Sequence, residues 1–83
     1  MKVRLKLYAA LGQYLPAGAE NNEVDFEVAD GASPTDVIAA LNLPQEMCHL
    51  VLVNGLYVAP SERDTKALED GDAIAMWPPV AGG

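Results

Sequence analysis

Two segments near the amino terminus alternate strictly between polar and hydrophobic residues. They run from Lys2 to Leu7 and from Glu23 to Val28, and a period of two is typical of a strand with one buried face. The polar positions of the first segment are basic and those of the second are acidic. We therefore predict that the two strands pair antiparallel, because opposite charges favour that register. The cations are Lys2, Arg4 and Lys6, and the carboxylates facing them are Glu23, Asp25 and Glu27.

The pattern then changes to a helical period. Ser33 is a typical N-cap, Pro34 suits the first position of a helix, and Asp36 lies near the positive end of the helix dipole. An apolar stripe with helical spacing follows, so we predict the main helix at residues 34 to 41. A shorter turn of helix is predicted for residues 8 to 15.

Three more strands are predicted in the second half of the chain. The almost wholly apolar run from His49 to Val53 predicts a strand buried on both faces, near the middle of a sheet. Asn54-Gly55 is a strong hairpin signal, and the return strand is predicted from Leu56 to Val58. A polar loop covers residues 59 to 66, and the last strand is predicted from Ala73 to Trp77.

This order of elements predicts one α+β domain with a mixed sheet of four to five strands packed on one main helix. Pro78 and Pro79 end the last strand because they donate no ladder hydrogen bonds. The domain is therefore predicted to span residues 1–79, and residues 80–83 form an exposed, flexible Gly-Gly tail.

Charge narrows the classes of partner. The 83 residues include 5 basic and 12 acidic side chains, a formal net charge of −7. An acidic chain is poorly suited to nucleic acid or to an anionic membrane surface. No apolar run approaches a membrane span, and the first residues lack the apolar core of a signal peptide. We expect a cytoplasmic location.

Conventional catalytic and metal sites are not indicated. Cys48 is the single cysteine and His49 the single histidine, too few for a Cys/His metal cage. Neighbours in a strand point to opposite faces, so these two cannot act as a nucleophile–base pair, and Cys48 is expected to pack as a small hydrophobe. A core of this size is not expected to leave room for a deep substrate pocket. We therefore expect no metal, no bound cofactor and no enzyme activity of the chain by itself.

The last residues offer a different chemistry. Pro78-Pro79 stiffens the exit from the last strand, and Gly82 and Gly83 lack the Cβ atoms that would block a narrow channel. A carboxylate on Gly83 could attack the α-phosphate of ATP held by another protein, and a sulfur nucleophile could then displace AMP. The alternative is a terminus with no role.

Several segments, in order along the chain, resemble the MoaD/ThiS sulfur-carrier family. The resemblance implies a ubiquitin-like β-grasp fold. The most specific part is the acidic turn followed at short spacing by the terminal Pro-Pro-Val-Ala-Gly-Gly. The matching segments are Leu7-Tyr8-Ala9, Ser33-Pro34-Thr35-Asp36-Val37, Val53-Asn54-Gly55, Leu68-Glu69-Asp70-Gly71-Asp72 and Pro78-Pro79-Val80-Ala81-Gly82-Gly83.

This resemblance implies a function. An E1-like adenylyltransferase of the MoeB/ThiF type uses ATP to activate the carboxylate of Gly83, next to Gly82, and a sulfur donor converts it to a thiocarboxylate. A sulfur-accepting enzyme, such as the large subunit of molybdopterin synthase, then receives the sulfur. The chain length, the helical turn after the first strand and the Pro-Pro pair favour the MoaD branch. A ThiS-type carrier for thiamine thiazole or another sulfur pathway, a ubiquitin-like protein modifier and a plain interaction module remain alternatives.

The resemblance also implies a docking surface on the sheet near the tail. The matching aromatic residues are Tyr8, Tyr57 and Trp77. The alternation of the first strand turns Tyr8 outward, and Trp77 directly precedes the prolines; exposed aromatics are frequent binding anchors. Tyr57 and Trp77 could instead complete the small core. The predicted partner-binding residues are Tyr8, Tyr57, Trp77, Pro78, Pro79, Val80 and Ala81.

Overall fold

The computed structural model describes residues 1–79, so the predicted tail at residues 80–83 lies outside the described residues. Single-turn 3-10 helices occupy Gln45–Met47 and Pro60–Glu62. A longer 3-10 helix, Ala9–Tyr14, lies where the sequence predicts a short turn of helix at residues 8 to 15. The strands are β1 (Lys2–Leu7), β2 (Glu23–Glu27), β3 (Leu50–Val53), β4 (Leu56–Tyr57) and β5 (Ala73–Trp77), and the helix is α1 (Pro34–Ala40).

The five strands form one mixed sheet in the order β2-β1-β5-β3-β4. β1 and β5 run parallel at its centre, and the other neighbouring pairs are antiparallel. α1 lies in the crossover between β2 and β3 and supplies Val37 and Ile38 to the buried core. This is the ubiquitin-like β-grasp arrangement that the sequence predicts.

The predicted pairing of the two charged strands is confirmed. Lys2 faces Glu27, Arg4 faces Asp25 and Lys6 faces Glu23. Within residues 1–79, however, Arg4 is the only one of these three basic side chains that lies within ion-pair distance of a carboxylate. Arg4 Nε donates to Glu23 Oε1 at 3.1 Å and Arg4 Nη1 to Asp25 Oδ1 at 3.0 Å. Asp25 and then Glu23 thereby raise the pKa of the Arg4 guanidinium.

The core lies on a single face of the sheet. Side chains of β1, β3 and β5 that point to this face are fully buried, whereas Leu50 and Leu52 on the other face of β3 are only partly buried. The prediction that this strand is buried on both faces is therefore wrong. An apolar strand is buried on both faces only if the fold places a layer on each side of the sheet. Among residues 1–79, α1 is the only α-helix, and it covers one side. The buried strand residues are Val3, Leu5, Leu7, Val51, Val53, Ile74 and Met76.

The start of α1 is built as predicted. Ser33 adopts an extended backbone, and its Oγ accepts a hydrogen bond from the Asp36 N–H at 3.3 Å. The Asp36 carboxylate accepts from the Ser33 N–H at 2.9 Å, which completes a reciprocal capping box. The helix begins at Pro34 and ends one residue before the predicted end, at Ala40.

The predicted polar loop at residues 59 to 66 carries a buried cation instead. Arg63 is only 9% exposed, and each of its three nitrogens donates to a backbone carbonyl. Nη1 donates to Cys48 O at 2.7 Å, Nη2 to His49 O at 3.1 Å and Nε to Val58 O at 3.2 Å. Arg63 therefore ties the segment before β3 to the segment after β4.

Candidate functional site on the open face of the sheet

The face of the sheet opposite α1 carries the candidate site. Residues paired in register share a face of a sheet, so Lys6, Ala75, Leu52 and Tyr57 form one row across four strands. The pair formed by Trp77 and Leu50 lies beyond that row, towards the end of β5. We call the larger side chains of this surface the apolar patch: Tyr8, Leu50, Leu52, Tyr57 and Trp77.

Tyr8 and Trp77 are in direct contact. Their ring centroids are 4.6 Å apart and the ring planes differ by 12°, a stacked arrangement worth about 0.5–1.5 kcal/mol beyond area burial. The Tyr8 N–H donates to Met76 O at 3.2 Å, so Tyr8 extends the parallel β1–β5 pairing beyond the end of β1. Both rings are partly buried, and this contact joins two of the predicted docking residues.

Tyr57 lies on the patch and not in the core. Its side chain is 56% exposed, which decides between the two placements that the sequence leaves open. Leu56, its neighbour in β4, is 73% exposed and pairs with Val53 on the opposite face of the sheet. The two exposed residues of β4 therefore belong to different surfaces.

The chain leaves the sheet beside the patch. The His49 N–H donates to Trp77 O at 3.1 Å, which is the last ladder bond of β5 before the prolines. Pro78 is partly buried and Pro79 is exposed. The predicted site residues Val80, Ala81, Gly82 and Gly83 lie outside the described residues, and their roles stay predictions.

Leu50 and Leu52 are the patch residues that sequence reasoning missed. The uninterrupted apolar run from His49 to Val53 predicts burial on both sides and so conceals which positions face outward. Alternation places Val51 and Val53 on one face and Leu50 and Leu52 on the other, but only the neighbouring strands show which face is covered. A partly exposed leucine pair beside two aromatic residues makes this face more apolar than the sequence indicates.

Chemistry elsewhere in the described residues is limited. Cys48 is 2% exposed, and burial raises the pKa of its thiol, an effect that the nearby Arg63 only partly offsets. The predicted packing role of Cys48 is therefore confirmed, and the thiol is a weak nucleophile at neutral pH. His49 is exposed and precedes β3, which begins at Leu50, one residue after the predicted start of the strand.

A depression of about 430 Å³ lies beside Cys48, between α1 and the loop that carries Arg63. Two of the charged side chains that line it are already engaged, because Arg63 donates to carbonyls and Asp64 Oδ1 accepts from Thr35 Oγ1 at 2.6 Å. Within residues 1–79, no three His, Cys, Asp or Glu side chains are arranged to hold a metal ion. The helices in the same range are too short or too polar to cross a membrane.

Comparisons with known proteins bear on this site. The model of the ThiS family matches residues 11–83. The molybdopterin synthase sulfur carrier subunit of Chlamydomonas reinhardtii is 41% identical over 69 residues, which cover 75% of this chain and 80% of the relative.

Two solved structures have the same fold over the whole chain. The HVO 2177 protein of Haloferax volcanii aligns with a TM-score of 0.77 at 29% identity, over 100% of this chain and 87% of its own. SAMP1 from Haloferax volcanii aligns with a TM-score of 0.68 at 26% identity, over 100% of both chains. The family model spans nearly the whole sequence and the curated relative most of it. The chain therefore belongs to the ThiS family of β-grasp proteins, as its sequence motifs predict.

Proposed function

We propose that this protein is a sulfur carrier that serves as the small subunit of a molybdopterin synthase. The observation that carries the proposal is the 41% identity to a molybdopterin synthase sulfur carrier subunit. The open sheet face beside the exit of the chain supports it, because a carrier must offer one surface to several enzymes while its end reaches their active sites. The carrier is not an enzyme by itself in this proposal.

The chemistry is proposed to take place at the carboxylate of Gly83. Its carboxylate oxygen attacks the α-phosphate of ATP on an E1-like adenylyltransferase, and pyrophosphate leaves. Hydrosulfide released by a sulfur donor then attacks the acyl carbon, AMP leaves, and the thiol proton is lost to water, so that a thiocarboxylate remains. ATP is thus used by the activating partner, and the carrier itself holds no cofactor. Gly82 leaves the approach to the acyl carbon unobstructed, since it has no side chain.

Docking is proposed to occur through the apolar patch. Tyr8, Tyr57 and Trp77 are the anchors, because aromatic residues dominate binding energy at many interfaces. Pro78 and Pro79, followed by Val80 and Ala81, would enter the partner's channel ahead of the two glycines. The partners are the activating enzyme and a sulfur-accepting large subunit, and the expected location is the cytoplasm.

The test of the carrier chemistry is the intact mass of the purified protein. After incubation with the E1-like enzyme of the same organism, ATP and a sulfur source, we expect replacement of one oxygen by one sulfur at Gly83. A variant with one residue appended after Gly83 is the matched control, because it keeps the fold and moves the carboxylate. No exchange in the unmodified chain, or equal exchange in the extended chain, would contradict the proposal.

A protein modifier is the second candidate. It is favoured by the likeness over the whole chain to SAMP1, called a small archaeal modifier protein in a second solved structure. The activation step is the same, but the adenylate would end in an isopeptide bond to a lysine. Lysine conjugates of an epitope-tagged chain on blots of cell extract would favour the modifier, and thiocarboxylate without conjugates would favour the carrier.

A ThiS-type carrier for thiamine thiazole would share the mass change and differ in the accepting enzyme.

A further inference from the structure

Lys6 lies at the border between the charged half of the open face and the apolar patch. In register it stands between Glu23 of β2 and Ala75 of β5. The same row continues through Leu52 to Tyr57. Lys6 is thus the cation that directly adjoins the surface proposed for docking.

The acidic residues of β2 do not neutralise Lys6. Glu23, which faces it, is bound by Arg4 Nε at 3.1 Å, and Asp25 is bound by Arg4 Nη1 at 3.0 Å. Within residues 1–79, the Lys6 ammonium has no carboxylate within salt-bridge distance. The side chain is nevertheless partly buried, so its stem is held on the sheet while its charge remains unpaired.

A partner that covers the patch also removes water from around the Lys6 ammonium group. Removing an ammonium group from water is costly unless a hydrogen-bonding or charged group replaces the water. Ala75 adds no bulk beside Lys6 and offers no polar side-chain atom, and the next neighbours in the row are apolar. The replacement must therefore come from the partner.

We propose that Lys6 binds an aspartate or glutamate side chain of the sulfur-accepting subunit, at the edge of an apolar surface that covers the patch. This ion pair fixes the orientation of the carrier, because the apolar contacts are non-directional while a charge pair sets register and rejects wrong partners. The inference rests on the proposed function, since it concerns the partner of the same surface.

Lys2 provides a matched control. It lies on the same strand and the same face as Lys6, and it also faces a glutamate of β2. It differs in position, because β5 pairs with β1 only from Arg4 onward and Lys2 is therefore remote from the patch. Lys6→Glu and Lys2→Glu change the net charge of the protein by the same amount, so overall electrostatic steering is altered equally.

The experiment measures the affinity of the full-length carrier for the large subunit of molybdopterin synthase from the same organism, by calorimetry. We expect Lys6→Glu to weaken binding about ten-fold or more relative to Lys2→Glu, which matches the loss of one interfacial charge pair. Lys6→Met keeps the length of the stem and removes the charge. It is therefore also expected to weaken binding about ten-fold or more, because the carboxylate of the partner loses its cation. Thermal unfolding of each variant checks that the fold is retained.

The outcomes separate the two proposals. Failure of the unsubstituted chain to bind the large subunit would overturn the proposed function and this inference with it. Binding with equal affinity for Lys6→Glu and Lys2→Glu, or undiminished binding by Lys6→Met, would overturn the inference alone. Self-association of the unsubstituted chain that Lys6→Glu abolishes would make a second copy of the chain the occupant, and would also overturn it.

Discussion

Arg63 shows how one side chain can hold several segments of a small domain together. Its guanidinium donates to the carbonyls of Cys48, His49 and Val58, and within residues 1–79 it has no carboxylate at salt-bridge distance. His49 in turn donates to Trp77 O. The arginine therefore supports the end of β5, where the chain leaves the sheet, although it lies outside the open face.

We predict that Arg63→Ala lowers the free energy of unfolding by about 2–4 kcal/mol, because buried carbonyls lose their donors. Arg63→Lys is expected to lose less, since an ammonium group can reach only some of the three acceptors. Urea unfolding measures both variants. Lys66→Ala, an exposed cation of the same loop, is the control and is expected to change stability by less than about 0.5 kcal/mol. Equal stability of Arg63→Ala and Lys66→Ala would contradict this role.

The thiol of Cys48 gives a prediction about pH. Burial raises its pKa in the folded protein, whereas the unfolded thiol ionises near pH ~8.5. The buried, protonated thiol therefore stabilises the folded state fully below about pH 8.5. This contribution to the free energy of unfolding is lost as pH rises towards the folded pKa, with a slope of at most about 1.4 kcal/mol per pH unit.

Cys48→Ala isolates this effect, because all other titrating groups are common to the two proteins. We expect the stability difference between the unsubstituted chain and Cys48→Ala to be constant from pH 6 to about pH 8 and to shrink above it. Chemical unfolding at several pH values provides the measurement. A difference that stays constant up to about pH 10 would show that the thiol ionises equally in both states.

At the scale of elements, α1 depends on its capping box. The helix has seven residues, a length at which isolated helices are unstable, so the two cap bonds and the core contacts of Val37 and Ile38 must compensate. We predict that Ser33→Ala lowers the free energy of unfolding by about 1 kcal/mol, measured by urea unfolding. Ser61→Ala is the control, since Ser61 is exposed; a loss as large in that variant would contradict a specific capping effect.

The elements also show what the sequence can and cannot predict. Period-two alternation locates β1 and β2 and their register, because charge and parity are local properties of each strand. The Asn54-Gly55 turn is equally local: both residues have positive φ, 51° and 82°, as a tight hairpin requires. In contrast, the open face of β3 and the burial of Arg63 depend on which segments the fold brings beside them. Neither property is encoded within a single window of sequence.

At the scale of the whole molecule, charge and apolar surface are separated. Arg63 is one of the five basic residues and is buried against carbonyls, and three others lie on β1. Lys66 is the remaining one, so the surface beyond β1 is dominated by carboxylates. A partner with a basic rim would approach such a carrier faster than a neutral one, in a manner that weakens with salt. The apolar patch then decides which face it contacts.

The two exposed residues of β4 allow a test of which face docks. Tyr57 lies on the apolar patch, and Leu56 lies on the opposite side of the same strand. We predict that Tyr57→Ala weakens binding to the large subunit of molybdopterin synthase about ten-fold or more, as the loss of an aromatic anchor does, while Leu56→Ala leaves the affinity unchanged. Both side chains are more than half exposed, so neither change should unfold the protein, and thermal unfolding checks this. The reverse order of effects would place the docking surface on the side of the sheet that carries α1.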